Sequence, residues 1–176
     1  MLNKIKLMLG MKCMSIRHDS QNTFSFENIE NFLQVKLDSE HKKLLSEFST
    51  AIVFTNGAKY KPNVNSPVDD SNGYQSIEMI YGLNGEHNLL DMNQVYSDQL
   101  PKDLYCIGES FGGNLICASK KSSGLFFWCH ETNFEEPSTF YICNSFEQFL
   151  AMLEADEGDD DDGNNNLIDS ESFLDF

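Results

Sequence analysis

Apolar positions along this 176-residue chain change their period partway through. Between residues 25 and 37 they fall at Phe26, Ile29, Phe32, Leu33 and Leu37, a helical spacing behind a Ser N-cap. Asp38 or Ser39 then caps a second helical stretch, with Leu44, Leu45 and Phe48 on one face. The period shortens after that. Residues 51–54 form an apolar run leading into Thr55-Asn56-Gly57, where Asn-Gly suits a tight turn. Residues 61–74 hold two Pro, three Asn and the Asp69-Asp70 pair, and read as a polar loop or a frayed edge strand. Residues 76–83 read as a strand and 89–96 as a short helix or turn. Four short apolar runs follow, at 104–108, 111–118, 125–131 and 140–143, separated by Gly, Ser and Asn turns. Ser145 and Gln148 then have capping-box spacing, and Phe146, Phe149, Leu150 and Leu153 form one helical face. Together these elements predict an α+β fold, a mainly antiparallel sheet flanked by N-terminal helices and closed by a C-terminal helix.

The pattern divides the chain into an N-terminal extension with partial disorder (1–23), one domain (24–154) and an acidic disordered tail (155–176). The length suits one core and is short for two. Charge sharpens the picture. The formal net charge is -16, and the ten acidic residues from Glu154 onward, unaccompanied by any basic one, leave -6 for residues 1–153. The first seventeen residues carry Lys4, Lys6, Lys12 and Arg17 with no acid, so residues 18–153 sum to -10. Such a body disfavours direct nucleic-acid binding, which needs a basic face, and favours a basic partner. Residues 1–14 are too interrupted by Lys6 and Lys12 for a secretory signal, and no run approaches a membrane span. A weak amphipathic start, or initiation at Met11 or Met14, explains them better, and a cytoplasmic location is expected. Five cysteines (Cys13, Cys106, Cys117, Cys129, Cys143) with no Cys-x-x-Cys pair read as reduced, mostly buried strand residues.

Candidate chemistry is sparse. Gly108-Glu109-Ser110-Phe111-Gly112 matches the Gly-x-Ser-x-Gly pentapeptide of serine hydrolases, which requires a strand before the Ser and a helix after it. Here a second strand follows, and no acid lies between Ser110 and His130, the only later His. A hairpin turn accounts for the pentapeptide. In Trp128-Cys129-His130-Glu131, adjacent strand residues face opposite ways, so Cys129 and His130 do not pair as nucleophile and base. With Cys129 buried, Trp128 and His130 share the more exposed face and suit recognition, unless the Trp serves simply as core. The acidic run 159–162 before Gly163 misses the calcium-loop register, because Gly158 would stand at the first ligand position. His18, His41 and His87 show no metal-ligand spacing. No metal, cofactor or catalytic site is expected.

The order of these pieces carries a resemblance. The Gly112-Gly113-Asn114 turn after an Ile107-containing strand, the Phe127-Trp128-x-His130-Glu131 strand and the Asn144-Ser145-Phe146-Glu147-Gln148-Phe149-Leu150 helix start together resemble the SUKH superfamily over about residues 26–153. Leu37-Asp38 stands where that family usually has Leu-Pro, and Cys129 replaces an Asp that often follows the Trp. The resemblance implies an α+β binding scaffold. Bacterial members typically neutralise toxins, often nucleases, and fungal members resemble regulators of cell-wall assembly. The expected function is therefore an immunity protein, a monomer that binds a cognate basic toxin and occludes its active site. The alternative is a regulatory or scaffolding adaptor that recruits partners through its tail. The expected partner-binding residues are Asp69, Asp70, Glu78, Glu109, Trp128, His130, Glu131, Glu135 and Glu136.

Overall fold

The computed structural model describes residues 2–14, 23–132 and 136–156. Among them the chain forms α1 (Leu2–Leu9), β1 (Met11–Cys13), α2 (Phe26–Leu33), α3 (Ser39–Phe48), β2 (Ile52–Phe54), β3 (Lys59–Tyr60), β4 (Gln75–Ile80), α4 (Leu89–Val95), β5 (Leu104–Ser110), β6 (Leu115–Ser119), β7 (Leu125–Trp128), β8 (Thr139–Cys143) and α5 (Phe146–Met152). The strands pair antiparallel in the order β1-β2-β4-β5-β6-β7-β8, with β3 added on β4. The α+β class with a mainly antiparallel sheet is therefore as the hydrophobic pattern predicts. The acidic tail beyond Asp156 lies outside the described residues, as does the run evoking a calcium loop. No described helix is long and apolar enough to cross a membrane.

Local chemistry explains most boundaries. Ser25 caps α2 through a reciprocal box with Asn28, and the Asp38 carboxylate accepts from the N–H groups of Glu40 and His41 to start α3. Asp38 thus does by capping what a Pro would do by fixing φ. The Ser145 hydroxyl accepts from the Gln148 N–H at α5, and the buried faces are those the spacing predicts: Phe146, Phe149 and Leu150 in α5, Leu44 and Leu45 in α3. Helix α2 ends earlier than the apolar spacing suggests. Gln34 turns left-handed at φ 57° as its C-cap, and the next residues fold back onto Glu30.

Glu30 is a buried acid with every oxygen engaged. Its carboxylate accepts from Lys36 Nζ (2.8 Å), Lys42 Nζ (2.5 Å) and the Leu37 N–H (3.0 Å). The lysine hydrogen bonds, Lys36 foremost, hold its carboxyl down to about 2. A carboxyl depressed by folding contributes stability that is complete above its unfolded value and is lost as pH falls through its folded one. Because the Lys36 side chain is largely in solvent, screening reduces the gain. Glu30→Gln is expected to cost about 1–3 kcal/mol at pH 7, and that deficit should shrink as urea unfolding is repeated from about pH 5 down to pH 2.

The first fourteen residues depart from the pattern reading. Rather than standing apart as an extension, α1 buries Ile5 and Leu9 in the common core, and β1 pairs along β2 with Met11 opposite Phe54. At the other end of the sheet, the start of the 61–74 loop covers the β8 edge, where the N–H groups of Asn63 and Val64 donate to Ile142 and Tyr141 carbonyls. An uncovered edge would otherwise invite strand addition. Cys106, Cys117, Cys129 and Cys143 are buried free thiols, whereas Cys13 is exposed. Burial pushes the Cys106 thiol up to about 12 and Cys143 to about 11, which leaves both inert near neutrality.

Candidate binding groove

An open groove of about 590 Å³ lies where the 61–74 loop, the start of β4, the β5–β6 turn and the end of β7 meet. Its floor includes Gln75, Ser110 and the buried Phe127. Each wall is built by local hydrogen bonds. The loop is knotted by Asp69, which accepts from the Ser66 N–H (3.0 Å), the Ser66 hydroxyl (2.6 Å) and Gln75 Nε2 (2.6 Å). Gln75 in turn accepts from the buried Tyr60 hydroxyl. Asp70 closes the next turn, accepting from the N–H groups of Tyr74 and Asn72 at 2.8 Å each. The Tyr74 N–H is the main reason its carboxyl sits below the usual carboxylate range. The Tyr74 ring carries Lys59 Nζ at 5.4 Å and Lys61 Nζ at 5.5 Å from its centroid.

The opposite wall is the turn 111–113, in which Gly112 and Gly113 both take positive φ, at 74° and 79°. Only glycine does so at no steric cost, and that conformation lifts Phe111 to 73% exposure on the groove's rim. Asn114 fixes the turn by donating to the Phe111 carbonyl, while its Oδ1 accepts from the His130 N–H (3.3 Å). His130 Nδ1 stands 3.1 Å from the same oxygen, so the neutral ring carries its proton there. On its other side Nε2 is 3.7 Å from the Glu131 carboxylate. Glu131 lines the groove across from Asp70.

The residues singled out from sequence thus separate. Asp70 and Glu131 line the groove, and exposed His130 joins them through Asn114. Asp69 supports the loop from within rather than facing a ligand. Trp128 is only 6% exposed, with its ring 6.3 Å from the His130 ring; the strand ends at Trp128, so His130 sits in a turn and the two do not share an open face. Glu78 is exposed at the β4 bulge between Ile77 and Met79. Glu109 lies away from the groove, accepting from the Tyr81 hydroxyl (2.9 Å) and standing 3.8 Å from His87 Nδ1. Glu136 is exposed, and Glu135 lies outside the described residues. Phe111 and Tyr74 escaped the sequence reading; an exposed apolar residue inside a Gly/Ser turn was the available signal for the first. The Ser110 hydroxyl donates to the Ser76 carbonyl and is buried. The pentapeptide is therefore a hairpin turn, not a nucleophile elbow.

The SPbeta prophage-derived uncharacterized protein YokK of Bacillus subtilis (strain 168) is 37% identical to this chain over 108 residues. The match covers 57% of this chain and 56% of that protein, so the chain spans a little over half the length of this curated relative. Residues 25–152, from the N-cap of α2 to the last residue of α5, match the SMI1 / KNR4 family (SUKH-1), and the chain belongs to that family.

Proposed function

We propose that this protein is an immunity protein that binds a cognate toxin one-to-one and silences it by covering its active site, with no chemistry of its own. Family members are generally non-catalytic immunity or regulatory proteins. The observation that carries the reading is Phe111, a large apolar side chain held in solvent by a two-glycine turn, on the groove that Asp70 and Glu131 also line. An exposed aromatic beside a shaped, mostly pre-formed concavity suits an interface anchor. A nuclease toxin needs a basic cleft for its own substrate, and an acidic inhibitor competes for that cleft. In such a pairing the acids mainly speed encounter and exclude wrong partners, and the buried anchor holds the complex.

The test uses the full chain as tagged bait in its own cells, followed by assay of the retained protein. A basic toxin held at one-to-one stoichiometry, whose activity falls on adding the chain, is the expected result. Phe111→Ala should then weaken binding tenfold or more. Asp70→Asn with Glu131→Gln should slow association and flatten its dependence on salt. Recovery of signalling or wall-synthesis proteins instead, lost when residues 155–176 are deleted, would place the chain in the regulatory branch.

A further inference from the structure

A second cavity, of about 300 Å³, lies between the α2–α3 junction and the β6–β7 hairpin and shares no lining residue with the groove. Its charge opposes that of the molecule. Lys36, Lys120 and Lys121 line it against the single carboxylate of Asp38, and that carboxylate is turned onto the Glu40 and His41 N–H groups of α3. Lys36 is paired with the buried Glu30 and Lys121 with the exposed Asp103; Lys120 makes no ion pair among the described residues. All three ammonium groups belong to exposed side chains, so they form a rim, together with the exposed Ser122 and Ser123.

Beneath this rim the lining is apolar and aromatic: Tyr105, Leu125 and Phe146 are all buried. His41 lines the same cavity at 1% exposure, its ring stacked on Phe146 at 4.3 Å, with its Nε2 closed off from solvent and without a hydrogen-bond partner among the described residues. Three lysines around an aromatic-floored cavity set an oxyanion subsite beside an organic subsite.

We infer that this cavity is a binding site for a small phosphomonoester of about mononucleotide size, its phosphate on Lys36, Lys120, Lys121 and the Ser122-Ser123 segment and its organic part over Tyr105 and Leu125. The volume is at the lower end of the range for small-molecule sites, which excludes larger cofactors. The site stands apart from the immunity reading and does not depend on it. An anion here also has a consequence for His41, since a nearby negative charge favours the imidazolium.

The test titrates the full chain with adenosine 5′-monophosphate, glucose 6-phosphate, adenosine and inorganic phosphate by calorimetry, while the His41 ring signals are followed by NMR. Saturable one-to-one binding of at least one phosphomonoester is expected, ten times tighter than inorganic phosphate, with adenosine not saturating and the His41 signals shifting. Lys120→Gln with Lys121→Gln should weaken it at least tenfold while leaving thermal unfolding unchanged, since both side chains are exposed. Failure of both phosphomonoesters to saturate would overturn the proposal. So would binding that ignores the two lysine substitutions, that leaves His41 unmoved, or that equals the affinity for inorganic phosphate.

Discussion

Gly82→Ala is expected to be among the most damaging single substitutions in this protein, although it adds one methyl group. Gly82 follows β4 in a buried crossing where its N–H donates to the His87 carbonyl and its own carbonyl accepts from Leu89 at the start of α4. The next two N–H groups, of Leu83 and Asn84, both donate to the Ser49 carbonyl. These bonds press the strand exit against the chain entering β2. A Cβ on Gly82 would lie 2.3 Å from the Thr50 carbonyl carbon and 2.4 Å from the Ala51 nitrogen. Both contacts are backbone, so no rotamer change relieves them, and Thr50 and Ala51 are buried. Overpacking against mobile side chains typically costs about 1–3 kcal/mol; against a fixed peptide the loss should exceed about 3 kcal/mol, with partial unfolding at ambient temperature. Gly73→Ala is the control. There φ is 79° but nothing lies closer than 3.5 Å, so the cost should stay near 1–2 kcal/mol, the left-handed penalty alone. Urea midpoints for the two variants separate close approach from backbone conformation. Equal midpoints would mean that the Thr50–Ala51 segment gives way.

How much of this architecture the chain announces depends on whether its determinants are local. Caps at Ser25, Asp38 and Ser145 act within three residues of themselves, and the helices they start are where the spacing puts them. The β5 to β8 meander joins neighbours through short turns, so its strands are equally plain. The N-terminal helix is not local in this sense. Lys6 breaks its apolar run, and Ile5 and Leu9 become core only because β1 pairs with β2, about forty residues away. Two-residue β3 is likewise defined by its partners, Gln75 and Ser76 on one side and Glu154 on the other.

The site was less legible for a related reason. Net charge points to acids as recognition groups but not to their positions. The structure uses Asp69 to tie a loop and Glu109 to receive the Tyr81 hydroxyl, and leaves Asp70 and Glu131 at the groove. A sum of -10 over the body also conceals a basic rim, because Lys36 meets Lys120 and Lys121 only when the α2–α3 junction packs beside the β6–β7 hairpin. Charge totals describe the far field that steers a partner. Individual contacts depend on which side chains the topology brings within a few ångströms.

The same packing makes His41 the expected origin of this protein's acid sensitivity. Histidine in an unfolded chain protonates near pH 6.5, whereas burial holds His41 neutral down to about 3. Its ring is buried and stacked on Phe146, with no acid hydrogen-bonded to it among the described residues. Below pH 6.5 the unfolded state therefore binds a proton that the folded state refuses, and stability falls as pH falls. The slope approaches about 1.4 kcal/mol per pH unit, for a total of about 4 kcal/mol by pH 3. Glu30 acts in the same direction but lower, between about pH 5 and 2, so loss between about pH 6.5 and 5 isolates the histidine. His41→Leu keeps an apolar side chain against Phe146 and removes the titration. Its urea midpoint should be nearly level from pH 7 to pH 5 while that of the parent protein declines. Parallel decline in both would assign the acid sensitivity to another group. A phosphomonoester in the cavity that His41 lines would blunt the parent's decline, because a charged His41 would then have a counterion nearby, whereas in the variant it would add stability without changing the pH slope.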